Sequence, residues 1–368
     1  MADVLAAAAA ALGEDLTGPA ELVGSDRSAV LRCRSPGRGS VVVKTYPATG
    51  EGAESFAAEA AGLALAADAG LGPRLLAVDR RSRVIVMTDL GDVPSLADLL
   101  LGGPPGPAAR ALQAWARACG ELAVRTAGRQ SDLDRLRAFY RAGGHPGADP
   151  ASPAGHWLVR RVREIPGLLA RLSIPPPGRL AADLAAVAEA VGSADYAVFS
   201  PGDICPDNNL LTASGVRFID FESAEFHPAF LDAAYLSMPF GTCWCVFRLP
   251  GEVAGPARAA YREMVSEVYP DLADDGVWQP GVRLACAAWT LHALVHLLEA
   301  SLRADLPMND GPLPAPTARV LLRYRWHWLR AELDQAGELP AISALMSALL
   351  ERTARWAVPD LPVYPGLR

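Results

Sequence analysis

The hydrophobic pattern of the chain changes from strand-like to helical at Leu90-Gly91. Before that point, three strand-like runs (21–23, 29–32 and 41–46) precede a segment of helical period (53–69) and two more strands (75–78 and 84–87). After it, long stretches rich in Ala, Leu and Arg are interrupted by one short hairpin, 209–212 and 216–220. This order predicts an α+β protein with a small sheet-containing part followed by a larger helical part.

The composition is that of a globular protein. The 368 residues are 51% hydrophobic and 20% charged, and the net charge of -7 argues against a nucleic-acid binder that neutralises phosphates. Six cysteines without regular spacing do not predict a disulfide framework. The alanine-rich run 4–12 lacks a preceding basic segment and is too short to span a membrane, so it predicts an opening helix ended by Gly13. We expect a cytoplasmic protein, monomeric or homodimeric, without nucleic-acid or membrane partners.

Lys44 is the only lysine, and the other 33 of the 34 basic residues are arginines. Abundant Ala, Gly, Pro and Arg indicate a GC-rich coding sequence, in which a remaining lysine can mark a position where a guanidinium cannot replace a compact ammonium. Lys44 ends the strand Val41–Lys44, and a P-loop is excluded because Val43 precedes it. Its carboxylate partner is expected on the following helix, where Glu59 and Glu54 are the two candidates.

A second cluster of polar residues surrounds the predicted hairpin. Asp203 and Asn208 flank a tight loop before it, and Asp220 lies at its far end. Phosphoryl transfer from a nucleotide needs a carboxylate at the acceptor hydroxyl, an Asn and a second carboxylate on Mg²⁺, and a cation on the other phosphates. Together with Lys44, these three residues supply all four groups. Two of the three asparagines in the chain are Asn208 and Asn209.

These motifs resemble the aminoglycoside phosphotransferase and choline kinase superfamily, whose fold is that of protein kinases. The resemblance covers most of residues 16–240. The catalytic loop of that family usually reads His-Gly-Asp-Leu-His-Pro-Gly-Asn, and the chain has Pro-Gly-Asp-Ile-Cys-Pro-Asp-Asn at 201–208. Pro201 and Cys205 thus replace the two histidines, which puts the rigidity of the loop and its acceptor contacts in doubt.

The resemblance implies a two-lobed fold. A nucleotide-binding lobe, 1–90, would hold a five-stranded antiparallel sheet and one helix. A mostly helical lobe, 91–368, would hold the catalytic loop (200–222) and the acceptor-binding helices.

The resemblance also implies a role for each site residue. Asp203 would be the catalytic base, Asn208 and Asp220 would hold Mg²⁺, and Lys44, steadied by Glu59, would contact the α- and β-phosphates. A loop that includes Gly24, Ser25 and Ser28 would cover the phosphates, and backbone groups of Met87, Asp89 and Leu90 would meet the adenine. Asp232 would support the catalytic loop from the next helix.

The implied reaction is transfer of the γ-phosphoryl group of ATP or GTP to a hydroxyl of a small molecule. Residues 221–300 hold ten acidic residues against four arginines. A cationic acceptor, such as an aminoglycoside, a basic antibiotic or an amino alcohol, would be steered there. A solvated acidic face explains the same count, and both interpretations remain open.

Two other functions remain as alternatives. One is an inactive pseudokinase that binds a nucleotide or another ligand, and the other is a Schiff-base enzyme that uses the lysine with pyridoxal phosphate.

Two further motifs predict packing rather than metal binding. His292 and His296 lack the Glu of a zincin motif, and Cys243-Trp244-Cys245 lacks a second Cys/His pair at zinc spacing.

Overall fold

The computed structural model describes residues 1–25, 27–141, 157–238, 240, 243–309 and 315–368. Its N-terminal part contains a five-stranded sheet, in which every neighbouring pair is antiparallel. The strands are β1 (Thr17–Ser25), β2 (Ser28–Ser35), β3 (Gly39–Thr45), β4 (Leu75–Asp79) and β5 (Val84–Thr88), in the order β1-β2-β3-β5-β4. The structure confirms the predicted sheet, and β3 lies at its centre.

Two helices cover the two faces of this sheet. Helix α1 (Ala2–Leu12) ends at Gly13 and packs on the face that carries Val41 and Val43. Helix α2 (Gly50–Ala67) packs on the other side, where Lys44 of β3 meets it. Successive side chains of a strand point to opposite faces of the sheet. Val41 and Val43 are therefore buried under α1, whereas Lys44 points to the face that α2 covers.

The rest of the chain is mostly helical, as predicted. The helices are α3 (Leu96–Gly102), α4 (Pro105–Arg125), α5 (Gln130–Arg141), α6 (Trp157–Arg171), α7 (Leu180–Gly192), α8 (Phe230–Ser237), α9 (Gly251–Val268), α10 (Asp275–Arg303), α11 (Ala318–Ala336) and α12 (Pro340–Arg352). Helix α10 packs against α6, α7, α8 and α11. The core around it contains the fully buried rings of Trp115, Trp289 and Trp326.

Helix α10 is also the one helix among the described residues that is long and apolar enough to cross a membrane. Most of its apolar stretch, 61%, is buried inside the protein. Core helices of globular proteins have the same length and composition, so this is weak evidence for a membrane span.

Four short strands frame the loop between α7 and α8. Strands β7 (Asn209–Thr212) and β8 (Gly215–Phe218) form the predicted hairpin, although β8 ends two residues earlier than expected. Strands β6 (Ala197–Ser200) and β9 (Glu225–Pro228) pair with each other and were not predicted. Their pairing brings the two ends of the segment 201–224 together.

Candidate active site

A cavity of about 550 Å³ lies between the sheet and the segment 201–224. Apolar side chains of both parts line it, among them Val30 and Val42 from the sheet and Leu210 and Ile219 from the hairpin. Four polar residues that the sequence singled out also line it, namely Lys44, Asp203, Asn208 and Asp220. The chain thus brings the residues of two distant segments to one cavity, which has the size and the mixed lining of a ligand site.

Lys44 is held by carboxylates from three directions. Its Nζ lies 3.1 Å from Glu59 Oε2, 2.7 Å from Asp220 Oδ1 and 3.9 Å from Glu222 Oε2, and only 7% of its side chain is exposed. The hydroxyl of Tyr46 donates to the same Glu59 oxygen at 3.2 Å. Glu54 does not take part, because it pairs with Arg141. Of the two candidate partners, Glu59 is therefore the one that contacts the lysine.

Burial and charge act in opposite directions on this cluster. Burial disfavours the ammonium of Lys44, but Glu59 and Asp220 outweigh it and raise the pKa of Lys44 above its ordinary value. Burial raises the pKa of Glu59 to about 7, although Lys44 opposes the shift. A lysine that stays protonated binds anions but does not attack a carbonyl, which argues against the Schiff-base alternative.

Asp220 is placed by an unusual backbone conformation. Its φ of 65° lies in the left-handed region, which ends β8 and turns the carboxylate toward Lys44. The next residue, Phe221, is completely buried and packs against α2 where that helix has Gly62. A Cβ at Gly62 would lie 2.8 Å from the Cβ of Phe221, so glycine permits this close approach. The helix that carries Glu59 is thereby packed directly on the segment that carries Asp220.

The loop that carries Asp203 depends on a glycine. Gly202 has a φ of 85°, and a Cβ there would lie 2.2 Å from the carbonyl oxygen of Ser223. Its N–H donates to the hydroxyl of Ser200 at 3.2 Å. No other residue fits this position without moving the backbone, so Gly202 fixes the path of the chain into Asp203.

Asn208 and Asn209 hold the far side of the same loop. Asn208 donates from Nδ2 to the carbonyl of Asp203 at 3.1 Å, and its own carbonyl accepts from the N–H of Ile219 at 2.9 Å. Asn209 is fully buried and donates to the carbonyls of Ile204 and Cys205. These bonds place Asn208 beside Asp203 on one side and beside the Asp220 segment on the other.

Asp232 supports the loop from α8. Its Oδ1 accepts from the hydroxyl of Ser200 at 3.1 Å and lies 2.9 Å from Nε2 of His227. Burial lowers the pKa of His227, but Asp232 and Glu225 outweigh it and raise the pKa to about 10. A buried ion pair therefore lies beneath the loop, and through Ser200 it reaches the backbone of Gly202.

The connection between the two parts of the chain also lines the cavity. Met87, Asp89 and Leu90 are all part of its wall. The carboxylate of Asp89 is occupied, since it accepts from Ser40 at 2.6 Å, from Gly91 at 2.9 Å and from Arg32. The side chain of Asp89 thus holds the sheet, and its backbone is what a ligand would meet.

The predicted phosphate-covering loop joins β1 and β2. Gly24 and Ser25 are the last two residues of β1, Ser28 lines the cavity, and Asp26 lies outside the described residues. Arg27 also lines the cavity and forms an ion pair of 2.8 Å with Glu222. The loop is therefore tied across the cavity to the segment that follows Asp220.

Sequence reasoning missed several residues of the site. Tyr46 and Glu222 contact the predicted Glu59 and Lys44. Asn209 holds the backbone of the loop between Asp203 and Asn208, and Asp207 and Trp244 line the cavity. Two signals were available in the sequence: Asn209 is one of only three asparagines, and Glu222 follows Asp220-Phe221 directly. The contact of Trp244 with the loop depends on the folding of α8 and had no sequence signal.

The acidic residues after position 250 lie away from this cavity. Several of them form ion pairs with arginines on the surface, namely Glu263 with Arg117, Asp275 with Arg262, and Glu299 with Arg303. None of the three lines the cavity. For these residues the structure favours a solvated face over an acceptor site.

Of the two histidines of α10, His292 is half-buried, as expected, whereas His296 is exposed. The ring of His292 lies 4.8 Å from that of Trp157, and burial lowers the pKa of His292 to about 3. His296 stacks on it at 5.9 Å. The contacts of His292 agree with the packing that the sequence predicted, whereas the exposed His296 departs from it.

Comparison with known proteins identifies the family. The family described as "Phosphotransferase enzyme family" (APH) matches residues 20–267, which is more than half of the chain. No curated protein sequence matches significantly. Among solved structures, a choline kinase from Cryptosporidium parvum Iowa II is 12% identical with a TM-score of 0.51, over 90% of this chain and 93% of that one. At such identity the similarity shows the fold alone.

Two further solved structures are similar over most of their length. A choline/ethanolamine kinase family protein from Mesorhizobium loti is 16% identical, with a TM-score of 0.47 over 90% of this chain and 92% of that one. A macrolide 2'-phosphotransferase from Brachybacterium faecium is 17% identical, with a TM-score of 0.46 over 82% and 94%. On the match over residues 20–267, the chain belongs to the phosphotransferase enzyme family, whose members transfer a phosphoryl group to an alcohol group of the acceptor.

Proposed function

We propose that the protein transfers the γ-phosphoryl group of ATP or GTP to a hydroxyl of a small molecule, with the help of Mg²⁺. The observation that carries this proposal is the meeting of Lys44, Asp203, Asn208 and Asp220 at one cavity. A cation, a base and two oxygen donors for a metal are the groups that phosphoryl transfer requires.

The nucleotide would enter the apolar part of the cavity. Val30 and Val42 above, and Leu210 and Ile219 below, form a slot suited to a flat base. The backbone between Met87 and Leu90, which also lines the cavity, would supply hydrogen-bonding groups to the base. With the base there, the phosphates would extend toward Lys44, whose ammonium would bind the non-transferred ones.

The donor set fits Mg²⁺, because the amide oxygen of Asn208 and the carboxylate of Asp220 are the hard oxygen ligands that this ion prefers. Both residues line the cavity near Asp203, and their positions are fixed by the bond between the Asn208 carbonyl and Ile219. When bound, Mg²⁺ would neutralise negative charge on the phosphates of the nucleotide. Asp220 would then share its carboxylate between the ion and Lys44.

Asp203 would receive the acceptor. Its backbone is positioned by Gly202 on one side and by the bond from Asn208 to its carbonyl on the other, and the residue lines the cavity. It would accept a hydrogen bond from the acceptor hydroxyl, orient the oxygen toward the γ-phosphorus and take the proton as the bond to phosphorus forms. The catalytic contribution of the chain is thus mainly positioning and charge stabilisation.

We further propose that residues 1–90 act as the nucleotide-binding lobe and residues 91–368 as the lobe that binds the acceptor. The acceptor class remains a choice among small hydroxylated molecules, including cationic ones such as aminoglycosides and amino alcohols. Reaction in the cytoplasm, where ATP and Mg²⁺ are abundant, is the expected setting.

The Asp203→Asn variant tests the assignment. We expect at least a hundredfold loss of phosphoryl transfer with nucleotide affinity unchanged, because the amide keeps the shape but does not accept a proton. Transfer is measured by mass spectrometry of a panel of hydroxylated acceptors incubated with ATP and Mg²⁺. Asp195→Asn, at an exposed aspartate, is the matched control. Turnover in Asp203→Asn equal to that of the control would contradict the role of Asp203.

The same panel decides between the enzyme and an inactive binding protein. The replacement of both loop histidines, by Pro201 and Cys205, is the observation that favours inactivity. Nucleotide binding in a thermal-shift assay, with neither acceptor phosphorylation nor ATP hydrolysis, would establish the binding protein and refute the enzyme.

A further inference from the structure

Three of the six cysteines meet beside the catalytic loop. Cys205 belongs to the loop itself, whereas Cys243 and Cys245 follow α8, and all three are buried. The Sγ atoms of Cys243 and Cys245 are 2.8 Å apart, and the N–H of Cys245 donates to Sγ of Cys243 at 3.3 Å. Cys243 and Cys245 have no second Cys/His pair at zinc spacing in the sequence. Folding brings Cys205 beside Cys243 from a distant segment.

Asp207 adds an oxygen atom to this cluster. Sγ of Cys205, Sγ of Cys243 and a carboxylate oxygen of Asp207 all lie within 4.8 Å of one another. Oδ2 of Asp207 accepts from Nε1 of Trp244 at 2.8 Å, which fixes the carboxylate. Oδ1 is buried and has no hydrogen-bond partner among the described residues. A buried acceptor without a donor favours binding of a cation, because an unsatisfied buried oxygen destabilises the fold.

We propose that Cys205, Cys243 and Asp207 bind a thiophilic divalent cation, of which Zn²⁺ has the matching chemistry. Two sulfur ligands and one carboxylate are within the ligand set of zinc, and Cys245 is the nearest further donor. Metal–sulfur bonds of about 2.3 Å in a tetrahedron place sulfurs about 3.8 Å apart. This spacing lies within the 4.8 Å that encloses the three ligand atoms. On binding, the thiols of Cys205 and Cys243 release their protons to solvent, so two thiolates and a carboxylate surround the dication.

This site is chemically different from the proposed Mg²⁺ site next to it. Asn208 and Asp220 offer only oxygen donors, whereas thiolates select softer ions. Asp207 and Trp244 line the large cavity, so an ion can approach the cluster from there. The inference rests on the cluster alone and does not depend on the proposed kinase activity.

A bound ion would connect the catalytic loop to the segment 243–245. Cys205 and Asp207 flank Pro206, and Asp207 directly precedes Asn208. The carbonyl of Cys245 accepts from the hydroxyl of Tyr364 at 2.7 Å. The ion would therefore restrain the loop against a part of the protein that is itself anchored in the core. In the catalytic loop, Cys205 is then a ligand where the related loops have histidine.

The test is a titration of the reduced, metal-free full-length chain with Co²⁺ under anaerobic conditions. We expect a thiolate-to-cobalt charge-transfer band that saturates at one equivalent and disappears when Zn²⁺ is added. Cys243→Ser should abolish the band, and Asp207→Asn should weaken Co²⁺ binding at least tenfold. Cys286→Ser, at a buried cysteine in α10, and Asp220→Asn, in the proposed Mg²⁺ site, should keep the band.

The outcomes that overturn the proposal are equally definite. They are the absence of a band in the reduced wild type, or a band that both Cys205→Ser and Cys243→Ser retain. If Cys243→Ser does not fold, as judged by its melting curve, Asp207→Asn decides, because it changes a single atom of the carboxylate. Cysteines that are isolated as a disulfide and give no cobalt band after reduction would also refute metal binding.

Discussion

At the scale of single residues, Lys44 is the position at which burial, charge and the proposed chemistry coincide. Removing its ammonium would leave Glu59, Asp220 and Glu222 close together without a counter-charge. Breaking a buried ion pair from one side costs about 3 kcal/mol or more, because the remaining charge is neither hydrated nor paired. The stability of the protein should therefore depend on this one side chain.

We predict that Lys44→Met lowers the free energy of unfolding by about 3 kcal/mol at pH 7 and by less at pH 5. The pKa of Glu59 is already raised to about 7 in the presence of Lys44, so without the lysine its carboxyl takes up a proton as the pH falls. Protonation of a group whose pKa is raised in the folded state stabilises that state at low pH. Urea denaturation at both pH values measures the difference.

The double variant Lys44→Met/Glu59→Gln is the control for this effect. It should recover part of the lost stability and show a weaker pH dependence, since one of the unpaired carboxylates is gone. An equal loss at pH 5 and pH 7 in the single variant would show that lost packing, rather than charge, is responsible.

His227 gives a second prediction, with the opposite dependence on pH. The pKa of this residue is raised from 6.5 to about 10, so its ion pair with Asp232 contributes fully below pH 6.5 and is lost as the pH rises through about 10. The difference in unfolding free energy between the wild type and His227→Gln should therefore shrink between pH 7 and pH 10. Asp232→Asn should flatten the same slope, whereas His296→Gln should keep it. A constant difference across this range would contradict a charged His227.

The sequence predicted the individual polar residues of the cavity better than their contacts. Lys44 and Asn208 were recognisable because lysine and asparagine are rare in this chain. The choice between Glu59 and Glu54 needed the direction of α2 relative to β3, which helical period alone does not give. The hydrogen bonds of Asp89 to Ser40 and Arg32 depend on the sheet order, and they had no signal in the sequence.

At the scale of elements, the packing of α2 on the segment after β8 couples two halves of the site. Gly62 allows this contact, since a Cβ there would lie 2.7 Å from the Cβ of Ala224 and 2.8 Å from that of Phe221. Glu59 is one helical turn before Gly62, and Asp220 directly precedes Phe221. A shift of the helix would therefore separate the two carboxylates that hold Lys44.

We predict that Gly62→Ala lowers the free energy of unfolding by about 1–3 kcal/mol, because the extra methyl group forces the elements apart. Nucleotide affinity should fall as well, which isothermal titration calorimetry would measure. Gly50→Ala is the matched control, because a Cβ at the start of the same helix meets nothing within 4 Å. Equal behaviour of the two variants would show that α2 and Phe221 are not tightly packed.

The elements themselves were predictable to different degrees. The five strands of the sheet and the hairpin were expected because each has a local pattern and nearby turn residues. Strands β6 and β9 were not expected, because each has four residues and they pair across the whole loop 201–224. Their pairing is a tertiary contact, and only the folded chain brings it about.

At the scale of the whole molecule, the cavity is formed by both parts of the chain, so a ligand there contacts the sheet and the helical part together. A ligand that binds only the folded state stabilises it by about 2.7 kcal/mol at a hundred times its dissociation constant. We predict that ATP with Mg²⁺ raises the melting temperature more than ATP alone. Differential scanning fluorimetry measures both shifts.

Asp220→Asn provides the comparison for this prediction. The variant should keep a shift with ATP and lose the additional shift with Mg²⁺, since the carboxylate is a proposed ligand of the ion. Buffer that contains Mg²⁺ but no ATP serves as the blank for effects of the ion alone. An additional Mg²⁺ shift of the same size in Asp220→Asn would exclude this residue as a ligand.

The burial of the single lysine has a practical consequence for covalent labelling. Amine-directed reagents modify lysine side chains, and in this chain the only one is 7% exposed and paired with carboxylates. Ordinary acylating dyes should therefore leave the side chains untouched. The amine becomes reactive only when unfolding exposes it and separates it from Glu59 and Asp220. An acylated lysine found after labelling would then report loss of the fold, with no other lysine to confuse the count.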